Sequence, residues 1–309
     1  MRGASEASFQ ARPQWDLLFR PTAATFRPTA ATGTEEAMAR PQLSIVIPAY
    51  NESARIEQTL ERVMSCVEQR AWDAEVLLVD DGSSDGTPQI VHRWMERYPR
   101  LHLVQNGGNR GKGYSVRNGL LQAAGDVVMF TDADLSAPME EAELLLAALA
   151  QGADVAIGSR WMDKTRQTIH QPLYRRFFGR CFNRLTRTVM GLPFRDTQCG
   201  FKAFKRPAAQ VIFRLQRIER WGFDPEILFI ARKLGYHIRE VPVTWGHDER
   251  SRMSYLKDGM KMLEEMATIR ANSLAGRYDE AIAALKDTSA MVTPPVPPVK
   301  VSLSSQAHG

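Results

Sequence analysis

From residue 43 onward, short apolar runs alternate with stretches that are apolar on one side only. Leu43-Ser-Ile-Val-Ile-Pro48 and Glu75-Val-Leu-Leu-Val-Asp80 are rich in β-branched residues and end in polar ones, the pattern of strands buried on both faces. Between them, Ser53 to Gln69 repeats apolar positions at Ile56, Leu60, Val63, Met64 and Val67, the spacing of a helix. A second helix is predicted over Pro88–Tyr98, a strand over Leu101–Gln105 and a helix over Lys112–Ala124. Further strands are predicted over Asp126–Asp132 and Asp154–Gly158. Such alternation predicts an α/β fold, a mostly parallel sheet flanked by helices. Ligands in such sheets bind beyond the carboxyl ends of the strands.

The two ends of the chain depart from this pattern. Residues 1 to 40 are rich in Ala, Thr and Pro and hold the tandem repeat Phe19-Arg-Pro-Thr-Ala-Ala-Thr25 and Phe26-Arg-Pro-Thr-Ala-Ala-Thr32. Two copies of seven residues cannot build a solenoid, so a disordered extension is expected there. The organisation expected is one domain over 41–275, in two halves, 41–160 and 161–275. A short helix and a disordered Pro-rich tail should follow at 276–309.

Composition narrows the class. No run reaches the ~18 apolar residues that span a bilayer, and Arg12, Asp16 and Arg20 break up the start that a signal peptide would need. A cytoplasmic chain is therefore expected. Cys66, Cys181 and Cys199 are widely spaced and odd in number, which argues against a disulfide framework and a zinc site. Charge is uneven: Arg160 to Arg206 holds twelve Lys or Arg against Asp163 and Asp196, a balance of +10 in a chain whose formal total is +5. One surface should therefore meet an anion.

Three strand ends carry chemistry: Pro48-Ala-Tyr-Asn-Glu52, Asp80-Asp81-Gly-Ser-Ser-Asp-Gly-Thr87 and Thr131-Asp-Ala-Asp-Leu135. Asp132 and Asp134, two apart on a turn after a strand, can direct hard oxygen ligands at one Mg2+ or Mn2+ that keeps positions open for phosphates. A solvated turn explains an isolated Asp equally well. After so apolar a strand and beside other acidic loops, the metal reading is preferred. The Asp80–Thr87 segment begins like a calcium loop, but its twelfth position is His92 rather than Glu. Ser84 or Asp85 is expected to cap the next helix, which leaves Asp80 and Asp81 for a nucleotide. Gly107-Gly-Asn-Arg-Gly-Lys-Gly113 fits neither a Walker loop nor a dinucleotide fingerprint, although backbone amides with Arg110 and Lys112 still favour anions.

The basic segment contains an amphipathic stretch, Tyr174 to Met190. Phe177, Phe178, Cys181, Phe182, Leu185 and Val189 form one arc, and Arg176, Arg180, Arg184 and Arg187 lie opposite. An anionic membrane surface suits it, and ordinary packing is the alternative. No nucleic-acid motif is present. A second stretch, Tyr255–Ile269, places Leu256, Met260, Leu263, Met266 and Ala267 on its packing side, opposite Lys257, Lys261, Glu264 and Glu265. Asp224 and Glu226 beside Trp221 suggest a sugar pocket.

The ordered set of motifs resembles glycosyltransferase family 2, which has the GT-A fold. It is most similar to the branch that glucosylates dolichyl or polyprenyl phosphate. The carrying residues are Ile45–Glu52, Val79–Thr87, Asn109–Gly113, Phe130–Ser136, Gly158–Arg160, Asp196–Lys202 and Trp221–Glu226, within Leu43–Arg270. The resemblance implies that Pro48, Tyr50, Glu52, Asp80 and Asp81 hold the nucleoside of a nucleotide sugar. Lys112 and Ala133 complete the donor site. Asp132 and Asp134 would bind magnesium or manganese and the diphosphate. Arg160, with Arg175, would meet the phosphate of a lipid-linked acceptor, and Asp196 and Asp224 would orient sugar hydroxyls. Ser136, where the mannosyl branch has Gln, and Cys199-Gly-Phe-Lys202 favour glucose from UDP-glucose. The alternatives are mannose from GDP-mannose, another acceptor, a nucleotidyltransferase or a membrane adaptor without catalysis. Two departures stand out: residues 1 to 40 lack the membrane-spanning helix of eukaryotic members, and the Gln-x-x-Arg-Trp motif of processive synthases is missing.

Overall fold

The computed structural model describes residues 40–163, 183–246 and 255–292, with side chains over 259–285 of the last stretch. The expected tails and the repeat lie outside the described residues, as do Arg175, Arg176 and Arg180. The elements are β1 (Leu43–Ala49), α1 (Ile56–Gln69), β2 (Ala74–Asp80), α2 (Thr87–Arg97), β3 (Leu101–Gln105), α3 (Lys112–Gln122) and β4 (Val127–Thr131). They continue as α4 (Ala142–Ala150), β5 (Val155–Ser159), α5 (residues 183–190), β6 (Phe201–Lys205), α6 (Arg206–Leu215), α7 (Phe223–Lys233), β7 (Ile238–Pro242), α8 (Tyr255–Leu274) and α9 (Arg277–Val292).

The strands form one sheet in the order β3-β2-β1-β4-β6-β5-β7. The pairs β3–β2, β2–β1, β1–β4 and β5–β7 are parallel, whereas β6 runs antiparallel to both β4 and β5. The order reverses beside β1, whose neighbours are β2 and β4, so the loops after those three strands open into one crevice. The three chemically loaded strand ends are therefore neighbours, as the sequence suggested.

Helices cover both faces. One core gathers Ile45, Ile47, Leu60, Val76, Leu78 and Met129 around α1 and α4. The other gathers Val46, Val79, Leu120, Phe130, Phe204 and Phe213 around α3, α6 and α7. Neighbours along β1 thus point to opposite cores, and this explains the continuous apolar run in a parallel strand.

The packing side of α8 differs from expectation. Its buried residues are Met262, Met266, Ile269 and Asn272, whereas Met260 is exposed and Ala267 faces outward. Steps of four and three keep 262, 266 and 269 on one side of the helix, about 120° or more round from Met260. In α5, Thr186 and Met190 are buried while Leu185 and Val189 are exposed, so these two residues of the arc read from sequence face away from the core; Phe177, Phe178, Cys181 and Phe182 lie outside the described residues.

Candidate active site

Hydrogen bonds stitch the loops after β1 and β2 together. The amide of Asn51 donates to Ser83 Oγ at 2.8 Å, that of Glu52 to Thr87 Oγ1 at 2.9 Å and that of Ser53 to Asp85 Oδ2 at 3.1 Å. Ser84 returns the tie through its amide to Asn51 Oδ1 at 2.8 Å. Asp85 also accepts from the amide and hydroxyl of Thr87 at the start of α2. Burial pushes the Asp85 carboxyl up, but its bonds to Thr87 and Ser53 outweigh that and bring it down to about 2. Asp85 is thus the residue that secures the start of α2, and Ser84 serves the β1 loop instead. Pro48 and Glu52 are half-buried, Tyr50 is exposed, and Glu52 Oε2 pairs with Arg55 Nε at 2.6 Å.

Asp80 and Asp81 are both buried and face different neighbours. Asp80 accepts from the Ser83 amide at 3.2 Å. Asp81 Oδ1 accepts from Asn106 Nδ2 and the Arg110 amide, and its Oδ2 accepts from the Gly111 amide, all within 2.9 Å. Asp81 therefore shapes the glycine-rich loop. Gly111 has φ of 107°, and a Cβ there would stand 2.6 Å from Glu219 O. Close packing against the chain before α7 thus accounts for this glycine. Arg110 leaves the crevice, pairing with Glu219 at 2.8 Å and lying over the Tyr114 ring. Lys112 enters it.

The centre of the crevice is the turn after β4. Lys112 Nζ lies 2.5 Å from the buried Asp132 Oδ1, a close ion pair. Asp134 is half-buried and accepts from the Ser136 amide at 2.9 Å. Burial first, and then the Asp132 charge, raise the Asp134 carboxyl above the usual range. Burial disfavours the Lys112 ammonium, but Asp132, Asp224 and Asp134 together raise its pKa. Opposite Asp132 sits Gly200, where a Cβ would fall 2.1 Å from Asp132 Oδ2. Ala133 is buried, and its carbonyl accepts from the Thr59 hydroxyl at 2.5 Å.

Two buried ion pairs flank this turn. Arg160 forks onto Asp196, with Nε 2.6 Å from Oδ2 and Nη2 2.8 Å from Oδ1. Burial opposes ionisation of Asp196, but Arg160 holds it below the ordinary carboxylate range. On the other side Lys202, fully buried on β6, lies 2.5 Å from Asp224 Oδ1 and donates to Cys199 O at 2.6 Å. Burial raises the Asp224 carboxyl, and Lys202 and Lys112 pull it back. Asp196 is thus saturated by protein donors, whereas Asp224 stays close to the Lys112–Asp132 pair. Trp221 is partly exposed, with Lys112 Nζ 5.7 Å from its ring centre.

Glu226 lies apart from this group. It is fully buried and accepts from the Arg217 and Ile218 amides and from Tyr278 Oη at 2.6 Å. Its place is the junction of α7 and α9, so the sugar pocket inferred from the Asp224–Glu226 pair is left with Asp224 alone. Sequence reasoning gave Lys202 and Gly200 no role of their own. A lysine inside the apolar run Phe201-Lys-Ala-Phe204 was the available signal.

Asp132 and Asp134 suit a hard divalent cation. Both offer carboxylate oxygens on one turn, and Asp132 is engaged by the Lys112 ammonium, a cation that a metal ion could replace. Among the described residues no group of three or more His, Cys, Asp or Glu could hold a metal. Substrate oxygens would have to complete the coordination.

The sequence model described as Glycosyl transferase family 2 matches residues 44–213. The dolichyl-phosphate beta-glucosyltransferase of Saccharomyces cerevisiae is 34% identical over 257 residues, covering 76% of each chain. The Homo sapiens protein of that name is 31% identical over 250 residues, covering 77% of each. A solved structure of glucosyl-3-phosphoglycerate synthase from Mycobacterium tuberculosis in complex with UDP superposes with a TM-score of 0.54. It is 19% identical and covers 76% of this chain and 81% of its own. The same enzyme with Mn2+, UDP-glucose and phosphoglyceric acid gives 0.54 at 21% identity, covering 78% of this chain and 81% of its own. By its matched sequence and by its sheet, the chain belongs to glycosyl transferase family 2.

Proposed function

We propose that this glycosyltransferase moves glucose from UDP-glucose to a polyprenyl phosphate of the dolichyl type at a membrane surface, with inversion. The observation that carries the reading is the turn Asp132–Asp134, set between Lys112 on one side and the Arg160–Asp196 pair on the other. Such a turn suits two phosphorylated partners that meet at one carbon. The yeast and human relatives are named for dolichyl phosphate and glucose. UDP-glucose and Mn2+ occupy the mycobacterial synthase.

In this mechanism the loops after β1 and β2 seat the nucleoside, with Pro48, Tyr50 and Glu52 at the rim and Asp80 beneath. Asp81 acts one step back, by holding the loop that delivers Lys112. Asp132 and Asp134 would hold Mg2+ or Mn2+, which supplies positive charge to the departing diphosphate. Lys112 is placed to exchange Asp132 for a phosphate oxygen. Asp224, fixed by Lys202, is placed to orient a sugar hydroxyl. An acceptor phosphate is largely anionic near neutral pH, so no strong general base is required. Its oxygen forms the new bond to the anomeric carbon as the bond to UDP breaks. Arg160, forked onto Asp196, is placed to meet that acceptor. The residues thus align and neutralise.

No helix among the described residues is long and apolar enough to cross a membrane. Lipid contact is assigned to the face of α5 that exposes Leu185 and Val189. The test is transfer by the purified chain from UDP-glucose or GDP-mannose to dolichyl phosphate in detergent, with manganese or with EDTA. Glucosyl lipid formed only with manganese is expected. Transfer from GDP-mannose at an equal or greater rate would sink the donor assignment, and EDTA-resistant transfer would sink the metal.

A further inference from the structure

Lys112 stands between two glycines, and both are pressed against the connection between α6 and α7, residues 216–222. A Cβ on Gly111 would meet Glu219 O at 2.6 Å and Arg220 Cγ at 2.9 Å. One on Gly113 would meet Phe223 Cβ at 2.7 Å and the carbonyl oxygens of Ile218 and Arg220 at 2.9 Å. Hydrogen bonds add to this packing. The Tyr114 amide donates to Glu219 O at 2.9 Å, and Gln216 Nε2 donates to Gly113 O at 2.9 Å. The backbone on either side of Lys112 therefore takes its place from the connection as well as from α3. The end of the connection and the start of α7 bring Trp221 and Phe223 to the Lys112 ammonium, with ring centres 5.7 and 6.0 Å away.

The connection is itself held at three points. Gln216 is buried at its start, and its Nε2 also donates to Ile218 O at 2.8 Å. Glu226 on α7 accepts from the amides of Arg217 and Ile218. The third point comes from another helix: Glu265 on α8 accepts from the Gly222 amide at 2.7 Å. A carboxylate that accepts from an amide makes one of the stronger hydrogen bonds. The two backbones also come close there, since a Cβ on Gly222 would stand 2.8 Å from Glu265 Cβ. Half-buried Glu265 thus fastens the residue that follows Trp221.

We propose that Glu265 is a positioning residue of the donor site: it holds the connection against the glycine-rich loop and so sets where Lys112 meets the diphosphate. It acts through the Gly222 amide, and its own carboxylate takes no part in bond making. The coupling from α8 to the loop stands on the contacts above, and only its effect on UDP-glucose rests on the function proposed for the crevice. Lys112 meets the diphosphate before the bond breaks and while it breaks. Misplacing it therefore removes binding from both states, which raises KM and leaves kcat.

The test compares the full chain with its Glu265→Ala, Glu265→Gln and Tyr278→Phe variants. Hydrogen exchange of the Tyr114 amide, without ligand, reads the hold on the loop and should be faster in Glu265→Ala. The KM for UDP-glucose should rise about tenfold, the loss of one hydrogen bond to a charged partner, with kcat within about twofold. Glu265→Gln keeps an acceptor for Gly222 and should restore both. Tyr278→Phe, which loosens α9 and removes no bond to the connection, should lower the melting temperature and move neither. Unchanged exchange in Glu265→Ala would overturn the proposal, as would faster exchange with an unchanged KM or an equal rise of KM in Tyr278→Phe. Faster exchange in Glu265→Ala, restored by Glu265→Gln, in a chain that uses no UDP-glucose would uphold the coupling and count against the function proposed for the crevice. Should Glu265→Ala fail to fold, Glu265→Asp, which draws the acceptor back by one methylene, replaces it under the same outcomes.

Discussion

Asp132 and Gly200 approach so closely that one methyl group would separate them. In Gly200→Ala the new Cβ would meet Asp132 Oδ2 at 2.1 Å, so the carboxylate must swing away or β6 must shift. A displacement near 1 Å at reacting groups lowers turnover about a hundredfold, and overpacking destabilises by about 1–3 kcal/mol. Asp134→Ala should behave differently, because Asp134 is half-buried and its carboxylate accepts from the Ser136 amide of its own turn. It should abolish manganese-dependent transfer with a melting temperature near that of the parent. A variant with near-normal turnover would remove Asp134 from the site. The thiols give a check on burial. Cys66 is pushed up to about 11 and Cys199 to about 12, each chiefly by burial. Thiolate therefore forms only as pH climbs toward those values, and at pH 8 neither should react. Mass spectrometry after iodoacetamide should find both unmodified in the folded chain and modified in urea.

Among the elements, α9 is fastened to α7 by the buried bond from Tyr278 Oη to Glu226, with the Tyr278 ring also packed against Phe229. Tyr278→Phe leaves that carboxylate with its two backbone amides and should lower stability by about 1–3 kcal/mol. A lower urea midpoint with unchanged donor binding is expected, and a loss of donor binding would place Glu226 back in the site. Elements with a two-sided or wholly apolar pattern were legible in the sequence, which is why β1, β2, β4 and α1 stand where the pattern puts them. The strand β6 was not, since the two lysines in Phe201-Lys-Ala-Phe-Lys205 break both an apolar run and a strict alternation. Lys202 is nonetheless buried, because its partner Asp224 lies 22 residues further on. The packing side of α8 was missed for a related reason. Leucine and methionine surround that helix, and its neighbours, rather than its period, choose the buried line.

At the scale of the molecule, the crevice was legible because three acidic strand ends meet wherever β2, β1 and β4 are neighbours. The Lys202–Asp224 pair and the Glu226 junction were not legible, since each depends on chain that returns from far along the sequence. Donor binding should register on the whole fold. UDP-glucose with manganese at a hundredfold excess over its Kd adds about 2.7 kcal/mol. At about 2–4 °C per kcal/mol for a chain of this size, the melting temperature should rise by roughly 5–10 °C. GDP-mannose should produce less.

The antiparallel strand β6 also sets the order in which the protein can come into being on the ribosome. β4 and β5 emerge with no partner on their facing edges until residues 201–205 follow and enter between them. Until then Asp132 has no Gly200 beside it, and Lys112 faces a crevice with one wall missing. A nascent chain halted before β6 should therefore expose two sticky edges to chaperones and bind no nucleotide sugar, although every loop assigned to the nucleoside has already been made.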